Sequence, residues 1–222
     1  MKKSTFITST GTNIGKTFLT KILIKRAIEL NYNVNALKPI ISGFNIDDFN
    51  KSDTGIIMNA LGFDIKNINN ISPWRFKEPL SPDIAAKKAG KYIEFEDLIK
   101  FCNKNINSKN DDLLIIEGVG GTMVPINDEY TILDLMKRLS ISVILTVGSY
   151  LGSISHTLNA YEILKKFNIK ISFIIIMQSD KNDIGVQATK NSLKNHIKSI
   201  PIIYFKRNNI DNIKVDNILK SL

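Results

Sequence analysis

One stretch near the start of the chain constrains its fold more than any other. A short apolar run, Thr5–Ser9, passes directly into Ser9-Thr10-Gly11-Thr12-Asn13-Ile14-Gly15-Lys16-Thr17 and on into Lys16–Leu30. In that last segment Leu19, Ile22, Leu23, Ala27 and Leu30 recur at helical spacing. Strand, small-residue loop and helix in this order build an anion cradle. Small residues let consecutive backbone N–H groups curl around phosphate oxygens, and the helix N-terminus adds the positive end of its dipole. In such a loop Lys16 reaches the β- and γ-phosphates and the Thr17 hydroxyl ligates magnesium. A glycine usually stands five residues before Gly15, where this chain has Thr10. A plain turn capping a helix would use the same glycines, but Gly15-Lys16-Thr17 sits at the strand-to-helix junction that phosphate binding requires.

The rest of the chain repeats the alternation. Further strands are predicted at Val34–Ile40, Leu113–Val119, Val143–Val147, Ile171–Met177 and Ile202–Phe205. Helices are predicted near Thr54–Leu61 and at Phe95–Ile106, Ile132–Leu139, Ser153–Phe167, Ile184–Ile197 and Asp211–Leu222. Near-continuous apolar strands between helices predict an α/β protein: a single-domain P-loop fold over residues 1–222, with a mostly parallel central sheet and helices on both faces. Ligands of such sheets bind beyond the carboxyl ends of the strands.

Informative residues follow those ends. Lys38 closes the second strand ahead of Pro39-Ile40-Ile41-Ser42-Gly43. A point charge there can neutralise a developing oxyanion, and a place at a strand end rather than in the core predicts that its loss leaves the fold intact. A surface lysine followed by a plain turn is the alternative. Asp53 precedes Thr54-Gly55-Ile56, where an acid also suits the first turn of a helix, and residue type alone favours that capping role. Glu117 ends the run Leu113–Ile116 and precedes Gly118-Val119-Gly120-Gly121. A carboxylate there is expected as a magnesium ligand or a water-orienting group, and its glycines let the backbone approach a ligand; a turn carrying one exposed Glu is the alternative. Glu78-Pro79-Leu80-Ser81-Pro82 reads as a rigid extended connection. Trp74 reads as packing, and His156 has no neighbours spaced as metal ligands.

Composition bounds the partners. A formal charge of +9 invites a nucleic-acid reading, but only four of the 30 basic residues are arginine and the lysines are scattered. No nucleic-acid partner is expected. The N-terminus lacks the pattern of a signal peptide, and runs such as Phe173–Met177 are strand-sized, so neither export nor membrane insertion is expected. The single cysteine, Cys102, shares a helical face with Phe95, Leu98, Ile99 and Ile106 and is expected in the core of a cytoplasmic protein.

Taken in order, Thr12 to Thr17, Lys38-Pro39 with Ser42-Gly43, Asp53, Glu78-Pro79 with Ser81-Pro82, Glu117 to Gly121, Val147-Gly148 and Leu151-Gly152 resemble the dethiobiotin synthetases. That family closes a cyclic urea on 7,8-diaminononanoate with carbon dioxide, ATP and magnesium, through a carbamate and its mixed anhydride with phosphate. The resemblance implies Lys38 and Lys16 as catalytic lysines, with Thr17, Asp53 and Glu117 holding Mg2+. It implies that Asn13, Ile14, Gly15, Lys16, Thr17, Phe18, Asp53, Glu117, Gly118, Val119 and Gly120 bind ATP. Thr12, Ser42, Gly152 and Ser155 would contact the second substrate, and a homodimer is implied. The chain departs from the family pattern at Ser9 and Gly11, where glycine and aspartate are usual, and at Ser155, where asparagine is. The helix at 184–197 lacks a tyrosine that can reach across the dimer, and the strand ending at Met177 lacks an adenine-reading asparagine. A partitioning or septum-placement ATPase, working through protein or membrane partners, is the alternative from another class. Such proteins carry an extra lysine early in the loop, and residues 8–15 contain none. Ile210, Ile213, Ile218 and Leu222 could imitate a membrane-binding face, but a terminal core helix fits them better. An amidotransferase of the cobyric-acid type would need a glutaminase domain for which the chain has no room.

Overall fold

A computed structural model describes residues 2–207 and 209–222. The strands of the main sheet are β1 (Lys3–Ser9), β2 (Val34–Leu37), β5 (Leu113–Glu117), β6 (Ser142–Val147), β7 (Ile171–Met177) and β8 (Ile202–Phe205), and two short strands, β3 (Ile40–Ser42) and β4 (Trp74–Phe76), form a separate pair. The main sheet runs in the order β2-β5-β1-β6-β7-β8 with every pair parallel. Its apolar residues point both ways into helix layers: Phe6, Ile7, Ile115, Ile116, Ile144, Leu145, Ile174 and Ile175 are all closed to solvent. The helices are α1 (Lys16–Glu29), α2 (Asp53–Leu61), α3 (Ile68–Ile71), α4 (Pro82–Lys88), α5 (Phe95–Ile106), α6 (Ile132–Leu139), α7 (Ser153–Lys166), α8 (Val186–His196) and α9 (Asn212–Ser221).

β1 lies inside the sheet between β5 and β6, while β2 lies beyond β5. The chain therefore leaves β1 in one direction and later resumes on its other side, which opens a crevice above the carboxyl end of β1. Register then places the chemistry. Leu37 pairs with Ile116 and Ile7 pairs with Glu117, so Lys38, the residue that follows β2, arrives beside Glu117.

Three expectations are corrected. The predicted strand Val34–Ile40 breaks after Leu37 because Pro39 has no N–H for the ladder; residues 40–42 turn away to pair with β4. The strand predicted to Val119 stops at Glu117; the Gly118 N–H still donates to the Ile7 carbonyl of β1, but its own carbonyl accepts from Lys38 instead of a neighbouring strand. The segment at 78–82, expected to be extended, is bent through Leu80, whose N–H donates to the Glu78 carbonyl at 2.9 Å; Pro82 then begins α4, its fixed φ suiting the first helical position.

Cys102 is buried, as its helical face predicts, and burial pushes its thiol up to about 12. Trp74 packs edge-on against Phe101 at 5.7 Å between ring centroids. Helix α9 buries Val215, Ile218 and Leu219, and Asp216 pairs with Arg26 of α1; of the residues weighed as a membrane-binding face, Ile218 is core, Ile210 and Leu222 are half-buried and Ile213 is exposed, so they do not form one continuous apolar face. Among the described residues no helix is long and apolar enough to cross a membrane.

Candidate active site

The loop between β1 and α1 turns on two left-handed residues, Asn13 at φ 58° and Gly15 at φ 99°. At Gly15 a side chain would also meet Met177, whose Cβ stands 3.1 Å from where a Cβ would be placed. Helix α1 opens there with no side-chain cap, which leaves its first-turn N–H groups for a ligand. Lys16 is nearly closed to solvent and its ammonium folds back into the loop. It donates to the Gly120 carbonyl at 2.8 Å, the Ser9 hydroxyl at 2.9 Å and the Gly11 carbonyl at 3.1 Å. Burial, aided by the neighbouring Lys38 charge, lowers the Lys16 pKa to about 8.

Beside this loop stands a second charge cluster. The Lys38 ammonium, 2% exposed, donates to Glu117 Oε1 at 2.8 Å and to the Gly118 carbonyl at 2.7 Å, and lies 3.4 Å from Asp53 Oδ2. Burial pushes its pKa down, but the Glu117 and Asp53 charges outweigh that and raise it, so Lys38 is cationic. Burial raises the Asp53 pKa while the Lys38 charge lowers it, with a net lowering. Glu117, with no exposed surface, also accepts from Thr17 at 2.7 Å and Thr20 at 2.5 Å. Gly118 must be glycine, because a Cβ there would come within 2.9 Å of the Phe6 ring.

Asp53 does not cap its helix. That role belongs to Ser52, whose hydroxyl accepts from the Gly55 N–H at 3.1 Å, leaving the Asp53 carboxylate to face Lys38.

These groups border one cavity of about 680 Å³. Its walls bring together Thr12 to Phe18, Lys38, Ser42, Asp53, Val119 and Gly120, among the residues expected there. Glu117 and Gly118 stand behind the wall, touching it through Lys38 and Thr17. Gly152 and Ser155 are not brought into it; both are exposed in the first turn of α7. Sequence reasoning missed Thr20, Ser9 as the anchor of Lys16, and the wall made by Pro79 to Pro82. The four-residue spacing from Lys16 to Thr20 signals a shared helix face. No local signal marks the others. At the far end of the cavity stand Asp180 and Arg207, an exposed ion pair.

Asp53, Glu117 and Thr17 offer oxygen donors only, and among the described residues no three His, Cys, Asp or Glu side chains cluster. That donor set suits a hard divalent ion completed by phosphate and water, and the two carboxylates already hold a cation in the form of Lys38.

Sheet order, glycine loop and strand-end acids define a P-loop nucleotide-binding protein. The model of an AAA domain family matches residues 3–210. The chain is 39% identical over 199 residues to the ATP-dependent dethiobiotin synthetase BioD of Acidiphilium cryptum, covering 88% of this chain and 89% of that one. It is 40% identical over 177 residues to the protein of that name from Caulobacter vibrioides, covering 80% of each. The chain belongs to the ATP-dependent dethiobiotin synthetase family. In fold it is similar to the septum site-determining protein MinD complexed with Mg-ADP from Pyrococcus horikoshii, at TM-score 0.57 and 15% identity over 100% of this chain and 87% of that one. A plasmid partition protein from Borrelia burgdorferi matches at TM-score 0.56 and 16% identity, over 100% of this chain and 98% of that one. Identities this low speak to the fold alone.

Proposed function

We propose that the enzyme, with residues 1–222 as one catalytic domain, closes the ureido ring of dethiobiotin from 7,8-diaminononanoate, carbon dioxide and ATP at the Lys16–Lys38 cavity. The observation that carries the assignment is the placing of two buried lysines against one phosphate loop, one with its pKa lowered and one held cationic by carboxylates. One substrate amine adds to carbon dioxide and loses a proton, giving a carbamate. A carbamate oxygen then attacks the γ-phosphorus as the bond to the β-phosphate oxygen breaks and ADP leaves. The second amine attacks the carbamoyl carbon, phosphate departs, a proton is lost and the ring is closed.

Both reactants of the phosphoryl transfer are anions, so fixed positive charge is what the site must supply. Lys16, on leaving its carbonyl cage for the β- and γ-phosphates, would exchange three neutral acceptors for charged ones. Lys38 would face the carbamate from the wall it shares with Thr12 and Ser42, whose buried hydroxyl has no partner within the protein. Thr17, Asp53 and Glu117 would hold Mg2+, which when bound offsets charge between the phosphates. Gly152 and Ser155 would contact the substrate only beyond this cavity. A homodimer, implied by the resemblance to the family, is part of the proposal. A cytoplasmic place for the enzyme agrees with its single buried thiol.

The test is mass-spectrometric detection of dethiobiotin from purified protein, diaminononanoate, bicarbonate and MgATP. ADP release that ignores the diamine would instead favour an ATPase switch.

A further inference from the structure

Glu117 is the hub of the site, and its two oxygens are served unequally. Oε1 receives Lys38 at 2.8 Å and Thr17 at 2.7 Å, whereas Oε2 receives the Thr20 hydroxyl at 2.5 Å. Thr20 has no exposed surface and lies outside the cavity wall, one helical turn behind Lys16. Its hydroxyl also sits 3.0 Å from the Lys16 carbonyl, the usual back-bond of a helical threonine. A hydroxyl has one proton to give, and the nearer, charged acceptor takes it.

A buried threonine that fed only its own helix would do nothing a valine could not. This one is aimed at the otherwise unserved oxygen of a carboxylate closed to solvent. With Oε2 pinned, the carboxylate plane is set and Oε1 is presented toward Lys38 and Thr17. Without that donor, Oε2 would be left unpaired in the interior, and the carboxylate would turn to share a donor already held by Oε1.

We propose that Thr20 is a positioning residue of the ligase, acting through Glu117 to aim Lys38 and Thr17 into the nucleotide cavity. The inference rests on the function proposed above, and its test separates the two. Thr20→Val removes the donor at nearly constant volume, Thr20→Ser keeps it, and Thr20→Cys keeps the size with a poor donor. Thr20→Val is expected to lower kcat about 10- to 100-fold, the range for a group that orients a ligand from behind, with the KM for diamine moving less than about threefold. Thr20→Cys should fall at least about tenfold, and Thr20→Ser should stay within about threefold of the parent. In a Glu117→Gln background Thr20→Val should cost less than about twofold more, because the residue it serves is already altered. Calorimetry gives a readout free of ring closure: the gain in ADP affinity on adding magnesium should shrink about tenfold or more in Thr20→Val and be restored in Thr20→Ser. A folded Thr20→Val or Thr20→Cys enzyme with parental kcat and magnesium response overturns the proposal. So does a Thr20→Ser enzyme as impaired as Thr20→Val, which would make the role one of packing. Absence of dethiobiotin from the parent enzyme would remove the assigned reaction, while the calorimetric comparison would still decide the role of Thr20.

Discussion

The Lys38 ammonium and the Glu117 carboxylate form an ion pair at 2.8 Å, with side chains 3% and 0% exposed. Each stands at the end of a parallel strand, and the register of β2 on β5 brings them together. A strand-end position predicts a lysine whose loss the fold would not notice. The structure corrects this: Lys38 neutralises a carboxylate that has no access to water.

Removing Lys38 should therefore cost stability as well as turnover. Lys38→Met leaves Glu117 buried without its cation, and breaking such a pair from one side costs about 3–5 kcal/mol. Lys38→Met with Glu117→Gln should recover most of that loss. Urea unfolding of the two variants checks the pair, and a single variant within about 1 kcal/mol of the parent would contradict it. In the fraction that folds, kcat should fall about a hundredfold or more, the worth of one transition-state cation.

Ser52 and Asp53 are neighbours with separable roles. Ser52→Ala removes the cap of α2 and should cost about 1 kcal/mol of stability while leaving the magnesium titration of activity in place. Asp53→Asn should do the reverse: half-saturation by magnesium should rise about tenfold or more, with a stability change below about 1 kcal/mol. An Asp53→Asn enzyme with an unmoved magnesium curve would remove Asp53 from the metal site.

Lys16 titrates near pH 8 in the nucleotide-free enzyme because burial and Lys38 disfavour its charge. Its unfolded value is higher, so between about 8 and 10.5 the unfolded chain binds more protons, and the contribution of Lys16 to stability rises with pH across that window. Below about pH 8 the penalty of its buried charge is present in full. Bound phosphates favour the charged form. ATP affinity should therefore weaken as pH rises past about 8, with proton uptake on binding. Calorimetry at pH 8.5 in buffers of different ionisation enthalpy measures that uptake, and a value of zero would contradict it. Lys16→Met should bind ATP poorly yet melt higher than the parent at pH 7 without nucleotide.

Base discrimination should be weak. Strong selection needs buried polar groups that one base satisfies and another leaves unpaired. Here Met177 packs under Gly15, and the Gln178 side-chain oxygen accepts from the Arg207 N–H at 3.3 Å, tying two loops together. The polar groups at this end of the cavity, Asp180 and Arg207, have side chains 80% and 54% exposed. GTP and CTP should support ring closure within about tenfold of ATP in kcat/KM. A preference for ATP above about a hundredfold would show that these residues read adenine.

Sequence alone determined what is local in this protein. Strand, loop and helix are contiguous from Thr5 to Leu30, so this strand–loop–helix turn could be read without knowing where anything else lay. The apolar runs named the strands of the main sheet, and β7 and β8 fall on their predicted bounds, because a strand buried on both faces has little freedom in composition. Tertiary structure decided what depends on register and burial. Lys38 and Glu117 are 79 positions apart, and nothing local says that they touch or that water is excluded from both. The choice of Ser52 over Asp53 as helix cap turned on backbone geometry, since either side chain can accept the same N–H bond. Thr20 carries the same lesson: its spacing from Lys16 is visible in the sequence, but its hydroxyl acquires a role only when β5 brings a carboxylate to within 2.5 Å.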